Sequence, residues 1–434
     1  MPIAEDVRTA RRILGNAWRS WRSRNRLEAL SRGGELKHPE PGSVRIAVYF
    51  ADNNVNLYQL RQWYAPLVEL SKTWPVVVVS RSPGAMLRLR EECPLPVVYL
   101  RKVTELEQFV LDQNLALVFY VNQNARNFQM FRYGRMWHVF INHGESDKAY
   151  MSSSQYKAYD YSFVAGRAAR ERLRSALWGF DVDHRTFEIG RPQVDHLAGE
   201  PPYPRDDRIV VLYSPTWEGD RSSMGYGSVV SHGESLTELL LADPRFRLVY
   251  RPHPRTGAAD AEYGRASARI VGAIAAANAR DPDAHHVFDD SAELGWQLVE
   301  PDVAITDVSA MVYDRLATGR PLLVTRPVSP EAEVDESGYL GACEWLTVTG
   351  ARDVVTSIRE VLGNPDAQQR LKHWVEFYFG DTTPGAATER FHDAVGRLMA
   401  EWERHARLHR GEPQLREPDP FVDELEHEEG LAAQ

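Results

Sequence analysis

The sequence predicts an α/β protein of two doubly wound, Rossmann-like domains preceded by a basic amphipathic helix. Three observations carry this prediction. Between residues 44 and 405, short apolar runs rich in Val, Ile and Leu alternate with helix-period segments, as in parallel sheets covered on both faces. The chain has 434 residues, too many for one ordinary core. The alternation is interrupted at 196–207, where Pro201, Pro202 and Pro204 mark an interdomain linker.

Taken in order, strands are expected at 44–50, 76–80, 96–100, 115–121, 137–141 and 163–166, with helices at 57–70, 103–111, 125–132 and 167–177. The run Val76-Val77-Val78-Val79 is apolar at every position, which marks a strand buried on both faces. After the linker come strands at 209–213, 246–250, 286–288, 303–305 and 321–324 and helices at 236–241 and 266–277. Helices at 351–362, 367–379 and 386–405 close the body. The expected units are a helix and linker over 1–40, a domain over 41–200, a second over 208–406, and an acidic, disordered tail over 407–434. Two doubly wound domains on a short linker describe the GT-B architecture, with a site in the cleft between them.

The formal net charge of -10 is unevenly spread. Residues 412–434 set eight acids against Arg416 alone, a composition that does not support a fold. Residues 8–32 hold eight arginines against Glu28. There Leu14, Trp18 and Trp21 recur at helical spacing, with Ile13 and Ala17 beside them. Such a helix can lie on an anionic membrane surface. A helix docked on the protein itself and a nucleic-acid arm compete with that reading, and nucleic acid is not an expected partner. Cys93 and Cys343 form neither a disulfide framework nor a metal motif. No apolar run reaches ~18 residues, and the N-terminus lacks an apolar signal region. The expected place is the cytoplasm, peripheral on the inner face of the cell membrane.

Polar groups at strand ends are the candidates for chemistry, because open parallel sheets bind ligands there. His143, in Asn142-His143-Gly144-Glu145, follows the strand at 137–141, and an imidazole titrating near neutrality suits a general base. Arg251-Pro252-His253-Pro254 follows the strand at 246–250. Its guanidinium fork suits phosphate oxygens, and its prolines restrain His253. Ile305-Thr306-Asp307-Val308-Ser309-Ala310 reads as strand, turn and helix start. Asp307 is the expected N-cap of a helix over 308–316, and Thr306, Asp307 and Ser309 an anion cradle. Asp314 could reach a ribose hydroxyl or pair with Arg315 or Arg320. Thr216 and Trp217 follow the strand at 209–213, and the Gly- and Ser-rich 219–233 reads as a lid. Each feature has a plainer reading as a cap, a packing residue or a loop hydrogen bond. His285-His286 and Asp289-Asp290 point to alternating faces, which disfavours chelation. No metal and no cofactor is expected, and the G-x-G-x-x-G fingerprint is absent. The set suits a pocket for a nucleotide-activated donor.

Over residues 137–390 these motifs resemble the CDP-glycerol glycerophosphotransferase family of teichoic acid primases and polymerases. The likeness rests on the order and spacing of His143-Gly144, Ser214-Pro215-Thr216, Arg251-Pro252-His253-Pro254, Ile305-Thr306-Asp307-Val308-Ser309, Asp314, Gly380-Asp381 and Arg390. Asn142 stands where the family usually has tryptophan, Glu145-Ser146-Asp147 replaces a threonine-proline stretch, and Ala310 replaces a second serine. The resemblance implies a metal-independent GT-B enzyme of cell-wall or capsule polymer synthesis. Such an enzyme moves glycerol phosphate from CDP-glycerol, or a related CDP-alditol, to a hydroxyl of a lipid-linked or polymer acceptor. It implies His143 as general base, with Arg251 and a catalytic His253 at the donor diphosphate. Thr216, Thr306, Asp307, Ser309 and Asp314 would bind the donor, on a donor domain over 208–406 facing an acceptor domain over 41–200. A nucleotide-sugar glycosyltransferase and a non-catalytic, membrane-tethered partner are the alternatives.

Overall fold

The computed structural model describes residues 21–147, 149–197, 199–291 and 294–409. Their first sheet contains β1 (Ile46–Phe50), β2 (Val76–Ser80), β3 (Val97–Tyr99), β4 (Leu117–Tyr120), β5 (Trp137–Phe140), β6 (Tyr161–Val164) and β7 (Thr186–Glu188), in the spatial order β3-β2-β1-β4-β5-β6-β7. The second contains β8 (Ile209–Ser214), β9 (Phe246–Tyr250), β10 (Val287–Phe288), β11 (Val303–Thr306), β12 (Leu322–Thr325) and β13 (Trp345–Leu346), in the order β10-β9-β8-β11-β12-β13. Every pairing is parallel. Strand order reverses between β1 and β4 and again between β8 and β11, and loops diverging at such a point open a crevice. The architecture is GT-B.

Burial follows the strand period. In β2, Val76 and Val78 enter one core and Val77 and Val79 the other, because successive side chains leave a strand on opposite faces. The helices used below are α1 (Tyr64–Ser71), α2 (Arg167–Ala176), α3 (Ala310–Leu316), α4 (Pro365–Phe379) and α5 (Ala386–Leu408).

Three expectations are corrected. The helix expected over 57–70 is two pieces, Leu57–Arg61 and α1. Between them Trp63 turns into the core, where its Nε1 donates to the Asn142 carbonyl at 2.5 Å. The stretch 125–132 forms only a 3-10 turn, Ala125–Gln129. The closing helix α5 returns to the first sheet: Phe391, Val395 and Leu398 share a core with Ile46, Phe119 and Phe163. Trp402 Nε1 donates to the Arg135 carbonyl, and the Tyr161 hydroxyl to Glu401.

Residues 21–32 are helical, with Leu27 buried and Trp21 exposed. The remainder of the 8–32 segment, and residues 410–434 of the acidic tail, lie outside the described residues. No described helix is long and apolar enough to cross a membrane.

Two bridges join the domains. Asp147, after β5, accepts from Arg172 of α2 at 2.7 Å, from the Tyr313 hydroxyl of α3 at 2.5 Å and from the Tyr378 hydroxyl of α4 at 2.7 Å. Arg172 also pairs with Glu145. Burial alone would lower the Arg172 pKa, but Glu145 and Asp147 hold it above the ordinary arginine value. The second bridge is Arg191 with Asp314, at 2.5 Å. Asp147→Ala removes the charge shared by a guanidinium and two hydroxyls, so urea denaturation should show a loss of about 3–5 kcal/mol. A loss well under ~1 kcal/mol, the value of a surface pair, would mean that this bridge does not hold the domains.

Candidate active site

The cleft between the domains has a volume of about 1300 Å³. Tyr58, Ser146, Asp147, Ser152, Glu171 and Arg172 line it from the first domain, and Thr216, Trp217, Arg251, His253, Ser309 and Asp314 from the second.

His143 follows β5 through a tight turn. Asn142 takes φ 55°, a left-handed conformation that asparagine tolerates better than most residues. Its amide donates to the Gly144 carbonyl at 2.7 Å. His143 Nδ1 lies 2.9 Å from the Val121 carbonyl at the end of β4. A carbonyl only accepts, so the proton of neutral His143 sits on Nδ1 and Nε2 keeps a free lone pair. Burial lowers its pKa, the Arg191 charge lowers it further, and Val121 and Asp314 oppose the shift. His143 is set just behind the cleft wall. The Tyr58 ring stands edge-on to it at 6.0 Å, and both Tyr58 and Asp314 line the cleft.

His253 has the opposite arrangement. Its Nδ1 accepts from the Arg255 N–H at 3.1 Å, so the neutral ring carries its proton on Nε2. The ring stacks on Trp217 at 6.3 Å. Burial, then the Arg255 charge, lowers its pKa. Arg251 donates to Asp289 at 2.5 Å and to the Ser291 hydroxyl and carbonyl at 3.0 and 2.9 Å. Burial would raise the Asp289 pKa, but hydrogen bonds from Ser291, Arg251 and Gln297 hold it below the ordinary value. The turn after Pro254 is tied by Glu218, which accepts from the N–H groups of Gly257, Ala259 and Asp260 at 2.9, 2.6 and 3.0 Å. Gly257 has φ +83°, and a Cβ there would come within 2.7 Å of the Gly264 backbone, so only glycine closes this turn without strain.

The Thr306-Asp307-Val308-Ser309 segment departs from its sequence reading. Thr306 and Asp307 are fully buried and do not line the cleft. Ser309, not Asp307, is the N-cap: α3 begins at Ala310, and the serine hydroxyl accepts from the Met311 N–H. Asp307 instead accepts from the N–H groups of Thr216 and Ser228 at 2.8 and 3.0 Å and from the Thr325 hydroxyl at 2.5 Å. One carboxylate thus fixes both feet of the segment 217–227, whose Trp217, Met224 and Tyr226 line the cleft. Burial raises the Asp307 pKa to about 6. Asp314 pairs with Arg191 across the cleft, and not with Arg315 or Arg320. Arg315 is buried, donating to the carbonyls of Leu298, Pro301 and Pro321.

His286 Nδ1 accepts from the Leu248 N–H, and Asp289 accepts from Arg251 and Gln297. Gly380, Asp381 and Arg390 serve the fold: Arg390 donates to the carbonyls of Phe379 and Asp381, closing the end of α4. Sequence reasoning missed the positioning acids Asp147 and Glu218, and Tyr58 beside the histidine. Only the unusual acidic stretch after His143-Gly144 hinted at Asp147.

The site lies between two parallel-sheet domains of GT-B architecture, with Arg251 and His253 at the end of β9 and His143 behind the opposite wall. Residues 138–327 match the family model described as CDP-glycerol:poly(glycerophosphate) glycerophosphotransferase. Solved structures agree on the fold. The wall teichoic acid polymerase TagF, soaked with CDPG as a variant, superposes with a TM-score of 0.50 at 14% identity, over 90% of this chain and 99% of that one. A Listeria monocytogenes protein described as a UDP-N-acetylglucosamine 2-epimerase gives 0.55 at 15% identity, over 83% and 98%. No curated protein sequence matches the chain.

Asp307→Ala should weaken ligand binding in the cleft tenfold or more, a change of ~1.4 kcal/mol, because the buried N–H groups of Thr216 and Ser228 lose their acceptor. Asp307→Asn should stay within a few-fold, since an amide can face its oxygen to those groups and its NH2 to Thr325. Stability gives a second readout. The folded pKa of about 6 exceeds the reference 3.8, so between these values the folded state binds more protons than the unfolded one. Its stability contribution is present at low pH and falls as pH rises through that window. Asp307→Asn should flatten this segment of a stability profile, and an unchanged profile would refute the shift.

Proposed function

We propose that the cleft transfers glycerol phosphate, or a related alditol phosphate, from a CDP-activated donor to an acceptor hydroxyl in teichoic acid or capsule synthesis. The observation that most supports this reading is a pair of opposite histidine tautomers on the two domains. His143 offers an Nε2 lone pair and His253 an Nε2–H. In the proposed step the acceptor hydroxyl oxygen attacks the β-phosphorus, which carries the glycerol. The new P–O bond forms as the bond to the oxygen bridging the α-phosphate breaks, and CMP leaves. The acceptor proton passes to Nε2 of His143. Arg251 and the Nε2–H of His253 face the charge developing on the departing phosphate, where electrostatic stabilisation and positioning supply most of the rate.

Thr216 and Ser309 complete the donor wall, and Asp314 is tied to Arg191 beside the base. Thr306 and Asp307 act in this reading by supporting the wall. The acceptor is lipid-linked or polymeric. The arginines and tryptophans of 8–32 support its delivery from an anionic membrane surface, on the cytoplasmic face.

His143→Ala should lower kcat by about 10²–10⁴ while leaving CDP-glycerol affinity, measured by calorimetry, nearly unchanged. The lowered pKa keeps the base neutral even within the ordinary histidine range, so the rate should rise with pH and reach its plateau below about 6.5. Near-native turnover in this variant would remove His143 from the mechanism. Arg251→Ala should weaken CDP-glycerol binding by about 10- to 100-fold, the value of a charged hydrogen bond, and unaltered binding would dismiss its role.

A further inference from the structure

We infer that Trp217 and Arg255 are positioning residues for His253: the indole holds the plane of the imidazole, and the guanidinium seated on the indole sets the charge that the imidazole feels. The inference rests on the transferase reading, in which His253 faces the departing phosphate. It begins from what one hydrogen bond leaves open. The Arg255 N–H fixes Nδ1 of His253, but a ring held at one atom can still rock about that bond. The Trp217 ring, centred 6.3 Å away and inclined by 27°, removes that freedom by stacking on the imidazole face.

Trp217 is itself held on both sides. The Thr216 N–H donates to the buried Asp307 at 2.8 Å, and Glu218 accepts from the N–H groups of Gly257, Ala259 and Asp260. The His253 N–H donates to the Pro215 carbonyl at 3.2 Å, so the imidazole and the indole hang from one short stretch of chain. A Cβ on Gly227 would sit 3.2 Å from the Trp217 carbonyl oxygen, which leaves that backbone little room to shift. Trp217 is nonetheless half-buried and lines the cleft, a place that core packing does not explain. Arg255 is exposed, with its guanidinium carbon 3.6 Å from the centroid of the Trp217 ring. The other guanidinium–ring contacts among the described residues lie at 4.6 to 6.0 Å. So close an approach is a face contact, and tryptophan is the ring that attracts a stacked guanidinium most strongly. Arg251 is tied to Asp289 and Ser291, which leaves Arg255 as the cation that acts on the imidazole. Burial is the first cause of the lowered His253 pKa, the Arg255 charge adds to it, and Glu218 opposes both.

The test uses the full chain. Nitrogen NMR of the histidine rings, with His253→Gln identifying the signal, reads the titration without substrate. CMP release from CDP-glycerol, with a short glycerol phosphate oligomer as acceptor, reads kcat and KM. Trp217→Ala should lower kcat by roughly 10- to 100-fold, the cost of a misplaced group, with the KM for CDP-glycerol nearly unchanged. Trp217→Phe, which restores an aromatic face, should recover most of that loss. In the wild type and in Arg255→Lys, His253 should titrate below about 6.5, the ordinary histidine value. Arg255→Gln removes the charge and should move the titration up toward that value. Native kcat in Trp217→Ala, a loss that falls on KM alone, or a His253 titration unmoved by Arg255→Gln overturns the inference. Arg255 is exposed, so its variants decide the question even where Trp217→Ala does not fold. If the wild-type chain neither binds CDP-glycerol nor releases CMP, the transferase reading fails, and the substrate-free titration still judges the stack.

Discussion

One carboxylate sets the geometry on which the cleft depends. Asp147 leaves the first sheet just past β5, and one of its oxygens receives the hydroxyls of Tyr313 and Tyr378, from two helices of the second domain. Its other oxygen is held by Arg172. Burying such a charge is costly unless every partner is in place, and here each partner comes from a different element. The arrangement therefore forms only when α2, α3 and α4 are all seated. Gly338 shows how close the packing is: a Cβ there would lie 2.3 Å from the Tyr378 hydroxyl and 2.7 Å from Asp147. A side chain at that position would displace the latch. Once it is set, the carboxyl ends of the two parallel sheets face each other, and the strand-end loops have only the cleft to point into.

That logic explains what the sequence showed. Strand existence was legible because burial on both faces leaves an unbroken apolar run, as in Val76 to Val79, and strand ends were legible because the first polar group after such a run marks the crevice. His143, Arg251 and His253 were singled out this way, and Arg251 and His253 line the cleft. Asp307 was found but given the wrong task. An aspartate before a helix start has the same local signature whether it caps the helix or turns inward, and only the N–H groups of Thr216 and Ser228, roughly 80–90 residues away in sequence, decide between them. The partner of Asp314 was hidden for the same reason, since Arg191 belongs to the other domain. The helix α5 reads as amphipathic from its own sequence, but nothing local says which sheet its apolar face covers. The departure at Asn142 becomes intelligible with the backbone in view: the turn into His143 needs a left-handed residue whose carbonyl is free to take the Trp63 donor.

The two histidines show how little separates their roles. Both are buried enough to stay neutral near pH 7, and both pKa values move downward. What distinguishes them is one backbone group each. The Val121 carbonyl, presented by the end of β4, can only accept, so His143 must donate to it from Nδ1. The Arg255 N–H, presented by a turn that Glu218 and Gly257 close, can only donate, so His253 must accept at Nδ1. Under the transferase reading this gives proton flow a direction before any substrate arrives: the first domain removes a proton from the acceptor, and the second supplies a donor to the leaving phosphate. Backbone groups make such an assignment sturdier than side chains would, because no titration reverses a carbonyl or an amide. It also follows that neither histidine can take over from the other by moving within the cleft, since each tautomer belongs to the sheet that holds it.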